Sequence, residues 1–84
     1  MKLHNAIKAL AKHATVNNQG QLYWAQINGS IVEFMRNGRA EDDAGITCIR
    51  IRDIKDQDDS MTDYCAGVWC DSLKQAITLA GGFK

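Results

Sequence analysis

Residues 21–36 read QLYWAQINGSIVEFMR, and the pair Asn28-Gly29 at their centre decides the fold. An Asn-Gly pair between two apolar-rich alternating runs is the strongest short signal for a β-hairpin. Its two-residue turn, of type I′, needs positive φ at both central residues. A two-residue loop sets the register. It pairs Tyr23 with Phe34 and Ala25 with Val32 on one face, and Trp24 with Glu33 and Leu22 with Met35 on the other. The first face is wholly apolar and is assigned to the core, because a register slip of one residue would turn all of it to water. The second face is mixed and half exposed.

Before the hairpin, Leu3, Ala6, Ile7, Leu10, Ala11 and Ala14 form one helical stripe, with His4, Lys8 and Lys12 on the polar side. This helix is expected to end near Thr15-Val16, ahead of a loop at Asn17-Asn18-Gln19-Gly20. After the hairpin, residues 37–45 read as an acidic connection containing Glu41-Asp42-Asp43. Residues 46–54 return to alternation, with Thr47, Ile49 and Ile51 on one side and Cys48, Arg50 and Arg52 on the other. A second acidic loop over 53–63 carries five aspartates, and residues 64–70 read as a short fourth strand weakened by Gly67. Ser72 and Gln75 fit a capping box, Leu73, Ala76, Ile77 and Ala80 make an apolar stripe, and Gly81-Gly82 supply the stop. The expected architecture is a single α+β domain of order α-β-β-β-(β)-α. Its antiparallel meander sheet has three to four strands, with the N-terminal and C-terminal helices on one face.

An 84-residue chain has room for one core, and it buries only about 60% of its unfolded surface. Ten basic and ten acidic residues give a formal net charge of zero. Dedicated nucleic-acid and membrane-surface binders are usually strongly basic, so neutrality argues against both. The charge is unevenly spread, because residues 33–71 hold all ten acids against five bases. The first residues lack the apolar core of a signal peptide, and no apolar run approaches the ~18 residues of a membrane span. Three cysteines, Cys48, Cys65 and Cys70, cannot all pair within one chain. A cytoplasmic protein with reduced thiols is the expectation.

Residues 58–64, DDSMTDY, followed by residues 71–77, DSLKQAI, resemble small domains of phages and conjugative elements, of the kind associated with large polyvalent proteins. The resemblance implies an accessory protein of a mobile element that acts by binding and has no catalytic residues to carry over.

Metal and phosphate chemistry find little support in the spacing. Asp56, Asp58 and Ser60 match the first three ligand positions of a calcium loop, but Met61 stands at its glycine position and Gly67 at its glutamate position. No combination of Cys65, Cys70, His4 and His13 has structural-zinc spacing. The glycines form no phosphate-binding pattern. No cofactor is expected. Three functional readings remain. The first is a non-enzymatic binding module that uses Leu22, Trp24, Ile31 and Met35, with the acidic loops, against a protein partner or a second copy in a homodimer. The second is a thiol enzyme or ligand-binder built on Cys70 and His13, with the thiol ahead of the last helix and opposed by Asp71. The third is a weak nucleic-acid platform of Arg50 and Arg52, with Arg36, Arg39 and Trp24 nearby. Net neutrality and the five nearby aspartates favour instead a solvated face whose arginines pair with Glu33 or the aspartate loop.

Overall fold

The computed structural model describes residues 1–38, 45–53 and 67–81. Helix α1 (Leu3–Ala11) is followed by strands β1 (Asn17–Gln19), β2 (Leu22–Ile27), β3 (Ser30–Asn37), β4 (Gly45–Asp53) and β5 (Val68–Trp69), and helix α2 (Leu73–Leu79) closes the order. The five strands form one antiparallel sheet in sequential order, a meander with no crossover. Leu3, Ala6 and Leu10 of α1 and Leu73, Ala76 and Ile77 of α2 share one core with Tyr23, Ala25, Val32, Phe34 and Ile51. Both helices therefore cover the same face of the sheet, and the α+β expectation holds.

The β2–β3 register is the predicted one, with Tyr23 opposite Phe34, Ala25 opposite Val32, Trp24 opposite Glu33 and Leu22 opposite Met35. The Tyr23 and Phe34 rings stack at 5.5 Å between centroids. The turn differs in detail. Asn28 takes a φ of 57°, and Gly29 is not among the positive-φ residues, so the type I′ expectation fails while the two-residue loop stands. The Asn28 side chain donates to the Ala80 carbonyl at 2.6 Å, which ties this turn to the end of α2.

Three further expectations are corrected. Helix α1 stops at Ala11 because His13 and Ala14 both donate to the Leu10 carbonyl, tightening the last turn well before Thr15-Val16. Asn17–Gln19 is a strand, not a loop. It pairs with Leu22–Trp24 across Gly20-Gln21, and the Asn18 amide donates to the Gly20 and Leu22 carbonyls at 2.9 and 3.0 Å. All three β1 residues are exposed, so no apolar alternation marked them.

The alternation along β4 also breaks. Glu33 pairs with Arg50 but Met35 pairs with Thr47, so one extra residue is inserted opposite Phe34. Cys48 adopts a φ of 53° there. This bulge sets Thr47 opposite Met35 on the uncovered face, while Ile49 and Ile51 pack with the core.

At the far edge, Val68 and Trp69 pair with Ile51 and Arg50. Gly67 precedes them with a φ of 102°, and a Cβ on it would lie 2.7 Å from the Ile51 carbonyl oxygen. Only glycine lets the backbone approach β4 this closely. The capping box of α2 forms as expected: Ser72 accepts from the Gln75 amide at 3.1 Å, and the Gln75 side chain accepts from the Asp71 amide at 2.8 Å. Gly81 takes the left-handed conformation, with a φ of 82°. The acidic stretches 39–44 and 54–63, residues 64–66 of the expected fourth strand and Gly82 lie outside the described residues.

Candidate functional site: the open face of the sheet

Residues that alternate with the core positions point away from both helices. The register fixes which ones meet. Glu33 stands beside Arg50 on β4, Arg50 stands beside Trp69 on β5, and Arg52 stands beside Ile31, one diagonal step from Glu33. The outcome is a buried charged cluster on the face opposite α1 and α2. Glu33 is 3% exposed, Arg52 7% and Arg50 9%.

Within the cluster, Nε and Nη2 of Arg50 both engage Oε1 of Glu33. Arg52 reaches Oε2 of Glu33 through Nη2 at 3.5 Å, and its buried Nε has no hydrogen-bond partner. The Trp69 ring lies over the Arg50 guanidinium, 5.5 Å from centroid to Cζ. This cation–π contact caps the ion pair from the β5 side. Around the cluster opens a pocket of about 260 Å³, lined by the apolar side chains of Leu22, Met35 and Trp69, the charged Glu33, Arg50 and Arg52, and Cys48. Trp69 is 53% exposed, although its side chain is among the largest in the chain.

The predicted contact residues separate. Leu22 and Met35 line the pocket. Trp24 is half-buried on the same face, between Asn17 and Glu33, but does not line it. Ile31 is only 1% exposed, so it supports the face from within and offers no contact surface, contrary to expectation. Arg50 and Arg52 share the expected face and turn their guanidiniums onto Glu33, the pairing weighed against the phosphate platform. Arg36 belongs to the helix-side register opposite Ile46, and Arg39 is outside the described residues. Sequence reasoning named Glu33 as a partner of the arginines and set Cys48 on their side of β4, but it did not single out Trp69. The hairpin register places Glu33 on this face and the alternation of β4 places Cys48 there with Arg50 and Arg52, whereas the two residues of β5 are too few for any periodicity to mark Trp69.

The thiol reading weakens on geometry and electrostatics. Partial burial, followed by the neighbouring Asp71 carboxylate, pushes the Cys70 thiol above its ordinary range, which disfavours the nucleophilic thiolate at neutral pH. Its sulfur lies 3.7 Å from the Val68 carbonyl. His13 lines a separate groove between the helices with Leu73 and Lys74. Among the described residues no three His, Cys, Asp or Glu side chains come together as a metal site, and no helix is long and apolar enough to cross a membrane. Asp56, Asp58, Ser60 and Cys65 lie outside the described residues. Comparison of the chain with protein-family models, with curated proteins and with solved structures finds no match.

Proposed function

We propose that this chain is a non-enzymatic binding module that holds a segment of another protein against the open face of its sheet. The observation that carries the reading is the pocket walled by Leu22, Met35 and the exposed Trp69, on a face left free by both helices. An exposed tryptophan beside half-buried aliphatic side chains and a buried arginine is the composition of a binding hot spot. The reading agrees with the accessory, non-catalytic role implied by the resemblance to mobile-element domains. A phosphate-binding role is less well supported, because the two arginines are spent on Glu33 and the chain is neutral overall.

Selection from a displayed random-peptide library tests the proposal. It predicts peptides whose binding is lost in both Trp69→Ala and Met35→Ala. No enrichment, or binding indifferent to both substitutions, contradicts it. A dimer in light scattering that Trp69→Glu dissociates would put a second copy on this face in place of a different protein.

A further inference from the structure

We propose that the pocket beneath Trp69 is a carboxylate site, and that it takes the C-terminal carboxylate of a partner chain ending in an aliphatic residue. The inference deepens the binding-module reading and rests on it. Its starting point is Arg52. Charge-assisted N–H···O contacts run at about 2.7–2.9 Å, but the Nη2 contact of Arg52 with Glu33 is 3.5 Å. Its Nε–H is buried and makes no hydrogen bond at all. A buried donor left unmet costs about 1–3 kcal/mol. Glu33 gives its nearer oxygen to Arg50, which also carries the Trp69 ring. Arg52 is thus the guanidinium with capacity to spare, and it lines the pocket.

The planar fork of a guanidinium matches a carboxylate in a paired geometry, with two parallel N–H···O bonds. Nε itself is inaccessible behind the Glu33 contact. An incoming carboxylate would therefore meet the pocket-lining part of the guanidinium and draw it off its long contact with Glu33. That would bring the unmet donor into use and share the charge that Glu33 only partly balances. The walls specify the rest of the ligand. Leu22, Met35 and Trp69 are apolar, and the volume of about 260 Å³ holds little more than one residue. A carboxylate and a hydrophobic group must then enter together within that space. A chain end supplies both on one Cα, whereas an internal aspartate or glutamate places its carboxylate where the apolar side chain would need to sit.

The test compares acetyl-Gly-Gly-Leu as the free acid with the same peptide as its C-terminal amide, titrated into the unmodified chain and followed by the resonances of the Trp69 indole and of neighbouring side chains. The acid should bind at least about tenfold more tightly than the amide, as expected when a charge-assisted hydrogen bond is lost. Arg52→Met should abolish that preference with the sheet resonances retained. Equal affinity for acid and amide overturns the proposal, as does absence of any response at millimolar acid. The acid–amide comparison needs no variant and stays decisive if Arg52→Met does not fold. Hexanoate binding as tightly as the peptide acid would overturn the assignment to a chain end. Library peptides that select onto the open face through internal segments, with no acid–amide difference, would sink this site and leave the binding module standing.

Discussion

The two faces of the sheet are made by alternate residues of the same strands, yet they reach burial by opposite means. On the helix-covered face, Tyr23, Ala25, Val32, Phe34 and Ile51 are removed from water by Leu3, Leu10, Leu73 and Ile77, with no charge among them. On the open face, turned away from α1 and α2, Glu33, Arg50 and Arg52 are buried almost as completely. Apolar burial stabilises by about 25 cal/mol per Å² of apolar surface. Buried ion pairs roughly cancel their own desolvation, and replacing them by well-packed apolar groups is often neutral or stabilising. The covered face accordingly sets stability. The open face carries a feature that stability does not require.

This contrast can be broken by substitution. The largest effect is expected for Phe34→Ala on the covered face, which should destabilise by about 3–5 kcal/mol in urea unfolding through the cavity it leaves. A loss under about 1 kcal/mol would show that the core is looser than its burial implies. Next comes Glu33→Ala, which strands two buried guanidiniums and should destabilise by about 3 kcal/mol. A small change there would mean that water reaches the cluster freely. Gly67→Ala sharpens the comparison at the edge of the open face. The new Cβ meets the Ile51 carbonyl, so β5 must shift, with a loss of about 1–3 kcal/mol and a changed Trp69 indole resonance. Ser72→Ala on α2 removes one cap bond and should lose about 1 kcal/mol with the Trp69 indole resonance unaltered. Smallest is the titration of Cys70. Its raised pKa favours the protonated thiol in the folded state. Stability from this group is therefore present below the ordinary thiol pKa and declines as pH rises through the folded value. Alkylation of Cys70 should accelerate only above the ordinary thiol range, and rapid reaction at neutral pH would refute the assignment.

How much of this was legible in the letters differs between the faces for the same physical reason. Apolar alternation is a period-2 signal, so the Tyr23 and Phe34 face, its register and both helical stripes could be read directly. The turn at Asn28-Gly29 gave the loop length but not the sign of φ at Gly29, nor the tie between Asn28 and Ala80, far away in sequence. β1 was hidden because Asn17, Asn18 and Gln19 are all exposed and polar. On the open face the pattern named Leu22 and Met35 correctly as wall residues. It misjudged Ile31, which is 1% exposed although it alternates with the core positions, while the pairing of the arginines with Glu33 was among its readings. The bulge at Cys48 changed the parity of β4 with no local sequence mark.

One triple variant, Glu33→Leu with Arg50→Met and Arg52→Leu, tests the division of labour most directly when unfolding and ligand binding are measured on the same protein. The account predicts stability equal to or above that of the parent, with binding of library peptides and of acetyl-Gly-Gly-Leu lost. A loss of stability as large as that of Phe34→Ala, with binding retained, would contradict it and make the charged cluster part of the structural core.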